Sequence, residues 1–116
     1  MSEEKNELTD LFKLTHELVC IPSESFKEKA IVDFIANKLS KAPWLNITRI
    51  GDNLVAKTVE KTEKRLLLGG HTDTVPAQGN DQIRLIDDSI WGIGSADMKG
   101  GIAIMLSLAP VSYTHL

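Results

Sequence analysis

The chain has 116 residues, which is enough for one domain of modest size and too few for two ordinary ones. Hydrophobic residues make up 42% and charged residues 25%, so the composition is that of a globular protein and excludes disordered and fibrous classes. The formal net charge is -3, from 16 acidic and 13 basic residues. This mildly acidic balance argues against binding to nucleic acid or to an anionic membrane.

Targeting segments are not indicated by the sequence. The longest nearly uncharged apolar run, residues 100–111, is shorter than the ~18 residues that a membrane span needs. Residues 1–5 carry more acidic than basic side chains and precede no apolar segment, which argues against a secretory signal. One cysteine, Cys20, cannot form an internal disulfide. We therefore expect a cytoplasmic protein.

Two amphipathic helices are predicted in the first part of the chain. Leucines at helical spacing predict a helix over residues 7–20, which Pro22 ends. Ser23 or Ser25 is expected to cap a second helix, because Ser25 and Glu28 have the spacing of a capping box. Its apolar stripe extends to about Ser40.

Short strands are predicted beyond these helices. Residues 45–50 and 53–59 are rich in β-branched side chains and are expected to pair antiparallel across a glycine turn. The apolar run 65–70 predicts a strand that is covered on both faces in the middle of a sheet. A further strand at 83–86 is expected to pair with residues 90–91.

A glycine-rich bend precedes the last predicted helix, residues 98–109. The order of elements is helix, helix, strands, central strand, loop and helix. This order predicts the opening part of an α/β domain, with a mixed β-sheet flanked by helices.

Candidate site residues follow the predicted central strand. Ligands of open α/β sheets bind beyond the carboxyl ends of strands, and His71 and Asp73 lie there, two residues apart and on one side of an extended chain. An imidazole can bind a metal through one ring nitrogen while a carboxylate holds the other. Asp97 lies at the glycine-rich bend, where both carboxylate oxygens are free to contact cations.

Each of these features also has an ordinary interpretation. Most His-x-Asp pairs are polar loop residues, and an aspartate before a helix is usually an N-cap. The combination is more specific than its parts, because Gly-His-Thr-Asp-Thr-Val-Pro over 70–76 is followed by Trp-Gly-Ile-Gly-Ser-Ala-Asp-Met-Lys-Gly-Gly over 91–101.

These two motifs resemble the amino-terminal motifs of the dinuclear-zinc metallopeptidases. That family groups aminoacylases, acetylornithine deacetylases, glutamate carboxypeptidases, dipeptidases and succinyl-diaminopimelate desuccinylases. The resemblance covers residues 8–109. Within the family the chain looks most like the desuccinylases of Gram-positive bacteria, in the short loop between the motifs, the 53–56 strand and the segment 21–23.

The resemblance implies a partial three-layer zinc-peptidase-like domain and a dinuclear zinc site, in which Co²⁺ can substitute. By the family pattern, His71 is a ligand of one zinc ion and Asp97 bridges both. Asp73 is the catalytic-site residue that clamps the imidazole of His71. The pattern also implies a cis peptide between Asp97 and Met98.

The function implied by the resemblance is that of a zinc-dependent amidohydrolase. The expected substrate is N-succinyl-L,L-diaminopimelate, hydrolysed to succinate and L,L-diaminopimelate in lysine biosynthesis. Acetylornithine deacetylase, dipeptidase and aminoacylase activities remain alternatives. The expected partner is a small N-acyl amino acid, with neither nucleic acid nor membrane, and the full-length parent is expected to be a homodimer.

Two alternatives belong to other functional classes. One is a non-catalytic metal- or ligand-binding module. The other is a nucleotide-binding domain, suggested by Gly92 and Gly94, although Asp97 in place of the third glycine would repel a pyrophosphate.

The family's remaining ligands and general base are expected beyond Leu116. Residues 1–109 are therefore predicted to be the N-terminal part of a catalytic domain, and this fragment is predicted to be inactive. Residues 110–116 do not continue the family pattern, so we expect a non-native read-through tail in which His115 is no ligand. We further expect Cys20 to be buried and Lys99 to be solvated.

Overall fold

The computed structural model describes residues 3–59, 63–79 and 81–111, and it describes side chains from residue 10 onward within those ranges. The predicted tail lies mostly outside them, since residues 112–116, including His115, are not described. The elements in chain order are helix α1 (Glu3–Val19), helix α2 (Lys29–Ser40), strands β1 (Leu45–Ile50), β2 (Asn53–Thr58), β3 (Arg84–Ile86) and β4 (Ser89–Trp91), and helix α3 (Gly100–Leu108).

The hydrophobic core lies where the three helices meet. Leu18 of α1, Ile31 of α2 and Ala103 of α3 are fully buried there. Burying a large aliphatic side chain contributes about 1.5–3 kcal/mol, so this contact is the main source of stability in the described chain. The predicted apolar stripe of α2 is confirmed, because Ile31 and Ile35 are both in the core.

The start of α2 corrects a prediction. The helix begins at Lys29, and its N-cap is Glu28, whose side chain makes no capping hydrogen bond. The Ser25 hydroxyl instead donates to a carboxylate oxygen of Asp73, at 3.0 Å. Ionised acceptors form stronger hydrogen bonds than backbone partners usually do, which explains why this serine leaves the helix uncapped.

Both predicted hairpins are confirmed. Strands β1 and β2 pair antiparallel with Ile50 opposite Asn53, and Gly51 occupies the turn at a φ of 61°. Strand β2 ends one residue earlier than expected, at Thr58. Strands β3 and β4 pair around a tight turn in which Asp87 has a φ of 53°.

The predicted central strand over 65–70 is wrong. These residues form no strand in the described chain, and the side chains of Leu66 and Leu67 are 84% and 86% exposed. A strand covered on both faces needs hydrogen-bonded neighbours, and the two sheets of the described chain are separate two-stranded hairpins. The α/β class itself is confirmed, as helices combined with small antiparallel sheets.

The last helix is shorter than predicted. Asp97 and Met98 have non-helical backbone angles inside a distorted turn, so regular α-helix begins at Gly100. It ends at Leu108, two residues before Pro110, as the proline predicts. None of the helices in the described ranges combines the length and apolar character that crossing a membrane requires.

Candidate metal centre

One short segment, residues 21–25, holds the first motif in place; we refer to it as the strap. The Ser23 hydroxyl donates to the main-chain oxygen of Thr72 at 2.6 Å, and the Thr74 N–H donates to the Ser23 oxygen at 2.9 Å. The Ser25 N–H in turn donates to the Thr74 oxygen at 3.2 Å. Glu24 and Thr74 thus form an isolated parallel bridge. The strap is therefore joined to Thr72 and Thr74 of the first motif by hydrogen bonds.

The first motif contacts the second through their side chains. The His71 Nε2 atom lies 2.9 Å from the Asp97 Oδ1 atom. Side-chain exposure is 46% for His71 and 86% for Asp97, so both groups face solvent. The hydrogen bond to Asp97 raises the pKa of His71 above its ordinary value of 6.5, and the main-chain oxygen of Asp73 raises it further.

Asp73 faces the other nitrogen of the same ring. The His71 Nδ1 atom lies 3.1 Å from the main-chain oxygen of Asp73 and 3.3 Å from its Oδ1 atom. The imidazole of His71 is therefore held between two aspartates, with one ring nitrogen directed at each. The structure thus brings the three predicted site residues together, and their roles at a metal stay predictions.

The ordinary interpretation of Asp97 as a helix cap is wrong. Helix α3 has Lys99 as its N-cap residue, and the Asp97 side chain is bonded to His71. The Asp97-Met98 peptide bond is cis, as the family resemblance implied.

Glycines make room for Met98 beside the site. A Cβ atom at Gly70 would lie 2.8 Å from Met98 Cε, and one at Gly101 would lie 3.1 Å from it. The sulfur of Met98 lies 3.4 Å from the His71 N–H, which donates to it. Small residues at these two positions therefore let the two motifs pack together around one methionine.

Lys99 is buried, and the prediction that it is solvated is wrong. Its side chain is only 2% exposed, and its Nζ donates to the main-chain oxygen of Ile21 at 2.7 Å. Burial lowers the pKa of Lys99 below its ordinary value. One indication of such a contact was present in the sequence, since a lysine at a helix start opposes the helix dipole. Lys99 thus joins the second motif to the strap.

Cys20 was expected to be buried, but it is exposed. Its sulfur lies 3.5 Å from the Nε2 atom of His16, one helical turn earlier. Both residues lie outside the hydrogen-bonded group formed by His71, Asp73 and Asp97.

The donor chemistry suits part of a zinc site. Imidazole nitrogen and carboxylate oxygen are both common ligands of Zn²⁺, and His71 Nε2 and Asp97 Oδ1 converge on one place. A catalytic zinc site usually has three protein ligands and an open position. In the part of the chain that the structure describes, no group of three or more histidine, cysteine, aspartate or glutamate side chains could hold a metal ion. The described residues bring two such donors together.

Comparison with known families gives one match. Residues 67–112 match the model of peptidase family M20/M25/M40. The matched segment contains His71, Asp73, Asp97 and the cis peptide after Asp97.

Comparison with curated proteins gives longer matches. The chain is 44% identical over 101 residues to a Mycobacterium tuberculosis protein named "Putative succinyl-diaminopimelate desuccinylase DapE". It is 40% identical over 101 residues to the succinyl-diaminopimelate desuccinylase of Corynebacterium glutamicum. It is 37% identical over 95 residues to a Pyrococcus abyssi protein named as a putative LysW-lysine/LysW-ornithine hydrolase.

These matches cover most of the chain and little of the relatives. The Mycobacterium match covers 86% of the chain and 28% of the relative. The Corynebacterium match covers 85% and 27%, and the Pyrococcus match covers 81% and 27%. The chain thus spans little more than a quarter of the length of these relatives.

Proposed function

We propose that this chain belongs to a metal-dependent amidohydrolase of the M20/M25/M40 peptidase family. The observation that carries the proposal is the 2.9 Å approach of His71 Nε2 to Asp97 Oδ1, which joins two motifs far apart in sequence. The family match over 67–112 and identities of 37% to 44% with three named hydrolases support it.

His71 and Asp97 are the residues that would hold zinc, with Co²⁺ as a substitute metal. Asp73 would keep the imidazole in the tautomer whose Nε2 lone pair is available, because its oxygens accept the Nδ1 proton. Bound zinc would supply Lewis-acid activation of water and of the scissile carbonyl. Asp97 is highly exposed, so both its oxygens are accessible to cations.

The proposed substrate is N-succinyl-L,L-diaminopimelate, cleaved at its amide bond to succinate and L,L-diaminopimelate. Support for this choice comes from the names of the two relatives with 44% and 40% identity. The Pyrococcus relative has a different substrate in its name, so the acyl group and the amine need their own experiment. An acetylornithine deacetylase, a dipeptidase or an aminoacylase would use the same two motifs.

Further ligands and a general base are also part of the proposal. The described residues provide two donors, and about three quarters of each relative lies outside the match. We place residues 1–109 in the N-terminal part of a catalytic domain whose other ligands follow in sequence. Hydrolysis is therefore to be sought with the complete product of the gene.

Metal binding by the chain itself tests the site. Competition with a chelating dye measures the affinity for Zn²⁺ of the chain and of the variants His71→Ala and Asp97→Ala. We expect each variant to bind zinc at least about 10-fold more weakly, because each removes one of two direct ligands. His16→Ala and Asp88→Ala are matched controls away from the site. Equal affinity of all five proteins would contradict the site.

Hydrolysis tests the activity and the substrate. The complete gene product is incubated with N-succinyl-L,L-diaminopimelate, N-acetylornithine and a dipeptide, before and after chelation. We expect the succinyl substrate to have the highest kcat/KM, loss of turnover on chelation, and recovery on adding Zn²⁺. Turnover that survives complete chelation would refute metal dependence, whereas preference for another amide would change only the substrate.

A further inference from the structure

The Ser25 side chain has a role that its sequence position did not suggest. Its hydroxyl lies 3.0 Å from Asp73 Oδ2 and 3.4 Å from the main-chain oxygen of Thr74. One hydroxyl has one proton, and a carboxylate is the stronger acceptor at the shorter distance. Ser25 therefore donates chiefly to Asp73.

This bond uses the oxygen of Asp73 that faces away from the ring. Asp73 Oδ2 accepts from Ser25, whereas Oδ1 and the main-chain oxygen lie 3.3 Å and 3.1 Å from His71 Nδ1. The terminal torsion of an aspartate side chain is broad and roughly two-fold, so a free carboxylate can rotate. A hydrogen bond on Oδ2 restricts that rotation and keeps Oδ1 beside the imidazole.

The backbone fixes the serine itself. The Ser25 N–H donates to the Thr74 oxygen at 3.2 Å, and the adjoining Thr74 N–H donates to Ser23 at 2.9 Å. The serine hydroxyl is thus presented to Asp73 by a paired backbone.

We propose that Ser25 is a positioning residue for His71. By holding the carboxylate of Asp73, it keeps the His71 side chain in one χ1 rotamer, with Nε2 directed at Asp97. This role at a metal rests on the function proposed above, but the orientation of the ring is a property of the chain alone and is measurable without any metal.

Alanine variants of the two serines of the strap test a positioning role and a structural role separately. Ser23 is 1% exposed and its hydroxyl bonds a main-chain oxygen, so Ser23→Ala removes a buried structural hydrogen bond. Ser25 is exposed and its hydroxyl bonds a site residue. We expect Ser25→Ala to change the site with little loss of fold, and Ser23→Ala to lower the unfolding midpoint.

Nuclear magnetic resonance on the 116-residue chain tests the proposal. Three-bond couplings from the backbone nitrogen and carbonyl carbon to Cγ of His71 report its χ1 rotamer. The wild type should give the couplings of one rotamer, and Ser25→Ala should shift them toward averaged values. Ser25→Thr keeps the hydroxyl and should restore the wild-type couplings, and Ser40→Ala, whose hydroxyl bonds only Asn37 of its own helix, is the matched control.

A double-mutant cycle identifies the intermediary. In an Asp73→Ala background the further change Ser25→Ala should shift the His71 couplings no further, because the serine acts through the carboxylate. An equal shift in both backgrounds would show that Ser25 acts by another route and would overturn the proposal. Averaged couplings in the wild type would also overturn it, as would unchanged couplings in Ser25→Ala.

Zinc affinity gives a second measurement. Loss of a group that orients a metal-binding histidine lowers affinity about 10- to 100-fold, so we expect that loss for Asp73→Ala and about 3- to 10-fold for the more distant Ser25→Ala. If Ser25→Ala binds zinc like the wild type while His71→Ala does not, the positioning role fails and the metal site stands. If His71→Ala also binds like the wild type, the proposed site fails, and the couplings alone decide the role of Ser25.

Discussion

Two neighbouring stretches of the chain contrast sharply. Residues 71–74 are held by the strap through hydrogen bonds of Ser23 and Ser25, and His71 lies against Asp97. Residues 65–70, directly before them, form no strand in the described chain and expose two leucines almost completely. The contrast shows that an apolar pattern makes a strand only where partners satisfy its backbone. Residues 71–74 have such partners in the strap, through both backbone and serine hydroxyl hydrogen bonds.

The largest expected effect is the loss of stability when a core leucine, rather than an exposed one, is replaced by alanine. Leu18→Ala removes a fully buried side chain from the contact of the three helices, so we expect the free energy of unfolding to fall by about 2–5 kcal/mol. Leu66→Ala changes a side chain that is 84% exposed and should change it by less than about 0.5 kcal/mol. Urea unfolding followed by circular dichroism measures both. Similar losses would mean that residues 65–70 are packed in solution, and the contrast would disappear.

Local patterns account for what could be predicted of the fold. Apolar side chains at helical spacing predicted α2, and β-branched runs around Gly51 predicted the first hairpin, because these elements satisfy their backbone with residues nearby in sequence. Whether residues 65–70 form a strand could not be predicted from local patterns. Its formation depends on neighbouring strands, which its own residues do not specify.

The candidate site likewise has a part that was predicted from the sequence and a part that was not. His71, Asp73 and Asp97 were predicted from motif chemistry and family resemblance. The hydrogen-bond partners of Ser25 and Lys99 were not predicted, because they are distant in sequence. Asp73 lies 48 residues from Ser25, and Ile21 lies 78 residues from Lys99. Ser25 has the spacing of a helix cap, and only the three-dimensional arrangement offers it a stronger acceptor.

A glycine pair tests how closely the two motifs pack. Gly94 and Gly79 both have a φ of 81°, but a Cβ atom at Gly94 would lie 2.6 Å from Thr74 Cγ2, whereas one at Gly79 would meet nothing within 4 Å. We expect Gly79→Ala to cost about 1–2 kcal/mol for the left-handed backbone alone. Gly94→Ala should cost a further ~1–3 kcal/mol because Thr74 must move. Equal unfolding midpoints of the two variants would contradict the close approach of the motifs.

A tryptophan pair tests how the first hairpin is joined to the helices. Trp44 Nε1 donates to the main-chain oxygen of Ala109 at 2.9 Å, at the end of α3. Trp44→Phe removes this partly buried hydrogen bond and should lower the free energy of unfolding by about 0.5–1.5 kcal/mol. Trp91→Phe alters a side chain that is 59% exposed and should have a smaller effect. The same urea experiment ranks them, and a larger loss for Trp91→Phe would argue against this connection.

The smallest expected effect is the pH dependence of stability that comes from an ion pair between α2 and the first hairpin. Asp33 of α2 pairs with Lys29 and with Arg49 of β1, and these hydrogen bonds lower the pKa of Asp33 below its ordinary value of 3.8. A carboxyl group with a lowered folded-state pKa contributes its stabilisation above the unfolded value, and loses it as pH falls through the folded value.

Because this ion pair is exposed to solvent, the effect on stability should be small and should weaken in salt. Arg49→Gln removes one of the two partners, so the pKa of Asp33 should rise toward 3.8 without reaching it while Lys29 remains. A carbon-13 titration of the Asp33 carboxyl measures the shift, and Lys57→Gln on the neighbouring strand is the matched control for loss of one positive charge. An unchanged pKa in Arg49→Gln would mean that α2 and β1 are not joined through this pair.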